Sequence, residues 1–250
     1  MKHLPKYFFW FAVLAAGLVA AGCQSSHPSC CSQPGRMAGP AVTSVQTKAV
    51  QAAMTPAQSL SVLRSGNARF VAGQPLVRDF PAQVKATAAG QYPFAVVLSC
   101  LDSRQPIEIV LDQGVGDIFS ARVAGNVLDD DILGSMEFAC KVSGAKLIAV
   151  IGHSNCGAIK GAVDDVQLGN LTGLLAKIKP ALDAVPADVQ PRTSKNYAFV
   201  DQVSEANVRL VLQQIRAQSP ILKEMLDAGE IGLVGGMYDL TTGKVRFYDK

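Results

Sequence analysis

Residues 99–106 read SCLDSRQP, and residues 152–162 read GHSNCGAIKGA. Each stretch follows an apolar run rich in β-branched residues, YPFAVVLS at residues 92–99 and KLIAVIG at residues 146–152. Such runs between turn signals are typical of strands that are buried on both faces of a parallel sheet. If the two strands are parallel neighbours, their carboxyl ends bring Cys100, His153 and Cys156 into one crevice, where open α/β sheets place ligands.

Two thiols and one imidazole suit Zn²⁺, and a catalytic zinc site with three protein ligands keeps its fourth position open. The His-x-x-Cys spacing places Cys156 at the start of a predicted helix, whose dipole favours a thiolate. Backbone N–H groups near Gly157 could also receive an anion there. The sequence therefore predicts a zinc site formed by Cys100, His153 and Cys156. A core histidine without a metal is the alternative for His153, but it leaves the two matching cysteines unexplained.

These motifs resemble those of the β-class carbonic anhydrases, in which Cys-x-Asp-x-Arg is followed by His-x-x-Cys-Gly. The matching positions are Cys100, Asp102 and Arg104 in the first motif, then His153, Cys156 and Gly157 in the second. The resemblance extends from about residue 55 to the C-terminus and includes FSARVAGN at residues 119–126. It implies the reversible hydration of CO₂ to bicarbonate and a proton by zinc-bound hydroxide.

Asp102 and Arg104 lie two residues apart, so in extended chain their side chains project to the same side. A charge-assisted pair would keep the carboxylate ionised and fixed in orientation. The resemblance implies that Asp102 orients the zinc-bound hydroxide, or ligates zinc as a fourth ligand in a closed form of the site. A purely structural ion pair at a strand end is the alternative.

The resemblance also assigns substrate-binding roles to Gln91, Phe119 and Phe138, and the N–H groups near Gly157 make that residue a fourth substrate-binding candidate. Gln91 stands nine residues before Cys100, where plant-type members have a glutamine that reaches the active site across a dimer interface. Phe119 and Phe138 match aromatic residues that wall the CO₂ pocket. The alternatives are a turn residue for Gln91 and ordinary core packing for the two phenylalanines.

Strands alternate with helices along the chain, which predicts an α/β fold. We expect a mainly parallel central sheet of four parallel strands plus an antiparallel edge strand, flanked by helices. The turn at residues 241–243 joins the last two strands as a hairpin. The predicted catalytic domain spans residues 55–250, beginning with Thr55 as N-cap and Pro56 at the first helical position. Residues 23–54 are small, polar and Pro/Gly-containing, which is typical of a flexible tether.

Residues 1–22 are predicted to be a signal peptide of the lipoprotein type. An apolar run at residues 8–21 follows Lys2 and Lys6, and it is shorter than the roughly 18–20 residues that span a bilayer. LVAAGCQSS at residues 18–26 resembles a bacterial lipobox, which would place a lipid anchor on Cys23 at the periplasmic side of a membrane. Gln24 favours the outer membrane. Ala20, where lipoboxes usually have Leu, leaves simple secretion open, and an uncleaved membrane anchor is a further alternative.

The six cysteines do not form an obvious disulfide framework. Beyond the predicted zinc and lipid sites, Cys30 and Cys31 fall in the tether, and Cys140 falls in a predicted helix as a buried small hydrophobe. Removing residues 1–22 takes away two lysines and no acid, so the formal charge falls from +3 to +1. This balance gives no electrostatic case for nucleic acid.

A carbonic anhydrase, a zinc-dependent lyase that acts on CO₂ and bicarbonate, is the leading functional hypothesis. A CS₂ or COS hydrolase on the same fold and a non-catalytic zinc- or bicarbonate-binding lipoprotein are the alternatives. Asp102 and Arg104 count against the non-catalytic hypothesis, because a structural zinc site needs neither of them. The resemblance further implies a homodimer or a homotetramer.

Overall fold

A computed structural model describes residues 40–248 of the chain. The predicted signal peptide, Cys23, Cys30, Cys31 and most of the predicted tether lie outside these residues. The elements are α1 (Lys48–Ala53), α2 (Pro56–Val71), α3 (Phe80–Thr87), β1 (Ala95–Ser99), α4 (Ile107–Val110), β2 (Ile118–Arg122), a 3₁₀ turn (Ala124–Asn126), α5 (Asp130–Glu137), a π-helical turn (Phe138–Val142), β3 (Leu147–His153), α6 (Gly157–Val163), α7 (Gly169–Ala176), α8 (Lys179–Asp183), α9 (Tyr197–Gln218), α10 (Pro220–Asp227), β4 (Gly232–Tyr238) and β5 (Val245–Phe247).

The central sheet has five strands in the order β2-β1-β3-β4-β5. The first four strands are parallel, and β5 pairs antiparallel with β4, so the predicted α/β fold is confirmed. In the register of β1 and β3, Ser99 lies opposite Ile151. The residues that follow these two strands therefore emerge side by side at one edge of the sheet.

The sheet is covered on both faces, which explains the uninterrupted apolar runs. All residues of β1 and β3 are buried. Neighbouring side chains of a strand point to opposite faces. Val96 and Leu98 join the core that includes α9 and α10, whereas Val97 packs with Leu63 of α2 in a second core on the other face. Across residues 40–248, no helix has both the length and the apolar character that crossing a bilayer requires.

Helix α2 begins as predicted, but its buried face is more polar than its apolar pattern suggests. Thr55 caps the helix, and the Gln58 side chain returns a hydrogen bond to the Thr55 N–H. Gly66 packs so closely that an added Cβ would lie 1.8 Å from the Leu111 carbonyl oxygen. Asn67 donates to the carbonyls of Val110 and Gly243. Helix α2 is thus fastened to the domain by a glycine contact and a buried amide.

The structure corrects the predicted end of the tether at residue 54. Helix α1 lies within that stretch, and the Thr47 side chain caps it by accepting from the Val50 N–H. The Gln51 side chain is buried and donates to the carbonyls of Pro93 and Ser143 at 2.7 and 2.8 Å. Ordered chain therefore begins before Thr55, because contacts with distant residues organise a segment that has no apolar period of its own.

Candidate metal centre

Three side chains converge at the carboxyl edge of the sheet. Cys100 directly follows β1, His153 ends β3, and Cys156 directly precedes α6. Their ligand atoms all lie within 4.8 Å of one another, and the two sulfurs are 4.0 Å apart. All three residues are buried. The structure therefore brings together the three residues that the sequence selects as zinc ligands.

The imidazole of His153 is oriented as a metal ligand. Its Nδ1 lies 2.9 Å from the Ser154 carbonyl oxygen, and a carbonyl can only accept, so Nδ1 carries the proton. Nε2 then carries the lone pair, and it is buried without a hydrogen-bond partner among the described residues. Leaving such a group unsatisfied is costly. A cation bound by Nε2 and the two sulfurs would satisfy it, so the donor set fits Zn²⁺.

The two thiols are in hydrogen-bond contact, and their pKa values are shifted in opposite directions. The hydrogen bond from Cys156 lowers the pKa of Cys100 to about 4, although burial opposes this shift. Backbone N–H groups also favour the Cys100 thiolate, and that of Gly125 lies 3.3 Å from the sulfur. The hydrogen bond to Cys100 and burial both raise the pKa of Cys156. A divalent cation would replace the remaining proton and compensate both thiolates.

Asp102 and Arg104 form a bidentate pair beside the ligand cluster. Arg104 Nε donates to Asp102 Oδ1 at 2.9 Å, and its NH2 group donates to Oδ2 at 2.7 Å. This contact holds the pKa of Asp102 at about 2, against the effect of burial. Asp102 Oδ2 is also 3.8 Å from His153 Nε2. The carboxylate is therefore ionised and adjacent to the ligand atoms, while Arg104 holds both of its oxygens.

Arg122 supports this loop and was not singled out from the sequence. It is the last residue of β2 and lies opposite Ser99 in the register with β1. Its NH2 group donates to the Asp102 carbonyl at 2.7 Å, and its Nε donates to the Cys100 carbonyl at 3.2 Å. The sequence places Arg122 at the end of a predicted strand. Its contacts with the Cys100 and Asp102 carbonyls can be inferred only once the pairing of that strand with β1 is known.

The remaining predicted site residues lie away from the ligand cluster or at its margin. Gln91 is exposed and precedes β1, at the opposite end of that strand from Cys100. Gly157 is exposed at the start of α6, and among the described atoms nothing lies within 4 Å of a Cβ built there. One chain thus leaves Gln91 outside the metal centre and Gly157 at its open side.

Phe119 and Phe138 form an aromatic pair beside the edge strand β2. Their ring centroids are 6.2 Å apart in an edge-to-face arrangement. Both rings line a groove of about 580 Å³, whose lining within residues 40–248 includes none of the three ligand residues. Phe138 is 50% exposed, whereas Phe119 is partly buried and packs against the core that includes α9 and α10.

Comparisons with known proteins agree with this architecture. Residues 95–245 match the family model described as carbonic anhydrase. Carbonic anhydrase 2 of Mycobacterium tuberculosis is 35% identical over 195 residues, which cover 78% of this chain and 93% of that protein. The carbonic anhydrase of Mycolicibacterium smegmatis is 35% identical over 192 residues, which cover 76% and 92% of the two chains.

Solved structures show the same fold. The β-carbonic anhydrase CafA of Aspergillus fumigatus superimposes with a TM-score of 0.58 at 25% identity, covering 77% of this chain and 90% of that one. A tetrameric β-carbonic anhydrase of Sordaria macrospora gives a TM-score of 0.59 at 22% identity, covering 78% and 96%.

The fold and the cluster together define an α/β protein whose sheet edge carries a Cys-His-Cys group suited to a metal ion. This chain belongs to the carbonic anhydrase family and is an enzyme of its β class.

Proposed function

We propose that the chain catalyses the reversible hydration of CO₂ to bicarbonate and a proton at a zinc ion held by Cys100, His153 and Cys156. The buried His153 Nε2, which lacks a hydrogen-bond partner among the described residues and lies within 4.8 Å of both thiols, carries this proposal. Zinc, when bound, lowers the pKa of a water molecule and so supplies hydroxide near neutral pH.

The three ligands have distinct roles in this proposal. Cys100 and Cys156 would bind as thiolates, which requires both sulfurs to be deprotonated. His153 binds through Nε2, because the contact of Nδ1 with the Ser154 carbonyl keeps the proton on the other nitrogen and fixes the ring.

Asp102 is proposed to orient the nucleophile. An ionised carboxylate can only accept hydrogen bonds, so Asp102 would accept the hydrogen of hydroxide and leave an oxygen lone pair facing CO₂. Its position 3.8 Å from His153 Nε2 supports this role. The closed alternative, with Asp102 as fourth ligand, requires Arg104 to release the carboxylate, so the bidentate contact supports the open arrangement.

The exposed aromatic pair and the position of Gln91 support a homo-oligomer, either a dimer or a tetramer. Phe138 is half exposed, and Gln91 lies at the wrong end of β1 to reach the metal centre of its own chain. A second copy would cover Phe119 and Phe138 and supply its Gln91 to the substrate pocket. Light scattering at assay concentration tests this proposal, and an active monomer would contradict it.

Export and lipid anchoring are proposed from residues 1–26 alone. The charged start, the apolar run and the LVAAGCQSS stretch support a mature chain that begins at an acylated Cys23. Mass spectrometry of the native N-terminus is expected to find this modification. Finding an unmodified residue there, or an uncleaved Met1, would reject the lipid anchor.

The proposed activity is tested by stopped-flow CO₂ hydration with purified protein before metal removal, after chelation and after zinc is restored. Activity is expected to disappear with the metal and to return with zinc. CS₂ and COS are assayed in parallel on the same preparations. A zinc-loaded protein that hydrolyses CS₂ or COS but does not hydrate CO₂ would overturn the proposal.

A further inference from the structure

Helix α9 carries a polar stripe on a face that is otherwise apolar. Asp201, Ser204 and Asn207 recur every three residues, so they lie close together along one side of the helix. Ser204 and Asn207 are each 1% exposed. Buried polar side chains are usually held by hydrogen bonds. Two of these three bond the segment from His153 to Cys156, and the third bonds Gly125, whose N–H contacts the Cys100 sulfur.

Asp201 contacts the loop between two of the ligands. Its Oδ1 accepts from the Asn155 N–H at 2.7 Å. Asn155 has a φ of +54°, a left-handed conformation that few residue types adopt readily. The loop from His153 to Cys156 turns at this residue. Asp201 therefore stabilises the turn that brings the imidazole and the second thiol together.

Ser204 contacts the backbone of a ligand directly. Its hydroxyl donates to the His153 carbonyl oxygen at 3.0 Å. His153 is the last residue of β3, so the hydroxyl bonds the chain at the point where the strand ends. The hydroxyl thus fixes the peptide from which the imidazole projects.

Asn207 reaches the first thiol through Gly125. Its Nδ2 donates to the Gly125 carbonyl at 2.8 Å, and the Gly125 N–H donates to Cys100 Sγ at 3.3 Å. Gly125 has a φ of +66°, and an added Cβ would lie 2.8 Å from a methyl carbon of Ile178. Only glycine suits this position. Asn207 therefore holds the residue whose N–H group faces the Cys100 sulfur.

We propose that Asp201, Ser204 and Asn207 are positioning residues that hold the three zinc-ligand segments in register and set the affinity for the metal. This inference rests on the zinc centre proposed above. Cys100 follows β1, His153 ends β3 and Cys156 precedes α6. Helix α9 bonds the loop from His153 to Cys156 directly and reaches the Cys100 sulfur through Gly125, so it limits the relative movement of the three ligands. Residues that orient metal ligands typically contribute 10- to 100-fold to metal affinity.

A purely stabilising role for the stripe does not account for Asn207. Its Oδ1 is buried and has no hydrogen-bond partner within residues 40–248, so half of the amide is left unsatisfied. Such a group is costly, and an apolar residue would serve packing better. The bond that Asn207 does make goes to Gly125, which contacts a ligand sulfur. Its position is therefore explained by the metal centre.

The test compares zinc dissociation constants, measured by competition with a chromophoric chelator, for the wild type and five full-length variants. Asn207→Ala, Ser204→Ala and Asp201→Ala each remove one contact. Asp201→Asn is the conservative variant, because its side-chain oxygen can still accept from the Asn155 N–H. Val211→Ala is the matched control, since Val211 is a buried residue of α9 that packs in the core away from the ligands. The melting temperature of each metal-free protein is measured in parallel.

The three contact-removing variants are expected to bind zinc about 10- to 100-fold more weakly, with Asp201→Asn close to the wild type. Val211→Ala is expected to lower the melting temperature and leave zinc affinity unchanged. Cobalt-substituted Asn207→Ala should also show a shifted thiolate-to-metal absorption band. Contact-removing variants that lose melting temperature but keep wild-type zinc affinity would overturn the inference. If Asn207→Ala does not fold, the zinc affinity of Ser204→Ala decides the matter, because that variant removes only one oxygen atom. A wild type that binds no zinc would overturn both this inference and the proposed zinc centre.

Discussion

The chain contains two aspartate–arginine groups that differ in their surroundings. Asp102 pairs with Arg104, two residues away, and the arginine side chain is 53% exposed. Asp112 lies two residues after the end of α4, and only 2% of its side chain is exposed. It binds both Arg69 and Arg78, which come from segments 43 and 34 residues earlier in the chain. The same charges thus form a local pair in one region and a link between distant segments in the other.

This difference shows how burial and partner separation assign a role to an ion pair. Burial opposes ionisation of Asp112, but the bonds from Arg78 and Arg69 outweigh it and hold the pKa of Asp112 below its usual range. Its backbone also has a φ of +48°, so the surrounding contacts hold a conformation that costs energy. Asp112 holds α2 and the segment that carries Arg78 against the domain. The Asp102 side chain pairs with a residue two positions away, so it links no distant segments through this pair and is available for chemistry.

The largest expected effect is on stability at Asp112. Asp112→Ala leaves the buried Arg78 without its carboxylate and should lower the free energy of unfolding by about 3–5 kcal/mol, as breaking a buried ion pair does. Asp102→Ala should cost about 1 kcal/mol or less, because its partner is exposed. Urea denaturation of the two metal-free variants measures both values. Equal losses in the free energy of unfolding of the two variants would contradict the different roles assigned to the two aspartate–arginine groups.

The next effect is on catalysis at Asp102. Asp102→Asn keeps the size of the side chain but removes the carboxylate, and turnover should fall on the order of 10²-fold, as for other positioned acid–base groups. Zinc content and the unfolding transition should match those of the wild type. The assay is CO₂ hydration with zinc measured on the same sample. Near-normal turnover would make the Asp102–Arg104 pair as structural as the Asp112 group.

A smaller effect is expected at Arg104. Arg104→Gln removes both side-chain bonds to Asp102 but keeps the backbone N–H bond at 2.9 Å, so the carboxylate is held less firmly. Turnover should fall about 10-fold, which corresponds to roughly 1.4 kcal/mol. Arg216→Gln is the matched control, because it breaks an exposed pair with Asp227 that lies outside the site. Equal rates in the two variants would exclude an orienting role for Arg104.

The smallest expected effect is the contribution of Asp102 ionisation to the pH dependence of stability and activity. Its folded pKa of about 2 lies below the unfolded value of about 3.9, so its contribution to stability is present above pH 4 and is lost as the pH falls toward 2. Asp102 therefore stays ionised between pH 6 and 9. Activity should rise through the alkaline part of this range as water ionises, since two thiolates weaken the effect of zinc on water. A change in wild-type activity near pH 6 that is absent from Asp102→Asn would show that Asp102 titrates there, which would contradict this prediction.

Local patterns predicted most of the fold. The apolar runs identified β1 and β3, and the cap at Thr55 marked the start of a helix, which the structure confirms. Helix α1 was missed because its order comes from Gln51 bonds to residues 42 and 92 positions away. The predicted helix that holds Cys140 ends in a π-helical turn at Phe138–Val142, a change in hydrogen bonding that hydrophobic spacing does not reveal.

The candidate site was predicted from its motifs to the extent that its residues are close in sequence or sit at strand ends. The ligand set and the Asp102–Arg104 pair meet that condition. Arg122 and Asn207 do not, because their contacts with the site span 22 and 82 residues. Asp112 was missed for the same reason. Nothing in the spacing of such residues shows which of them will meet once the sheet has formed.

The central claim is that the chain holds zinc through two thiols and one imidazole. Metal analysis of purified wild type, Cys156→Ser and Cys140→Ser tests it most directly, because Cys140 is an equally buried free cysteine in the π-helical turn, away from the site. The wild type and Cys140→Ser are predicted to contain about one zinc per chain, and folded Cys156→Ser is predicted to lose it. Zinc retained at wild-type affinity in Cys156→Ser, or a wild type that binds none, would contradict the account.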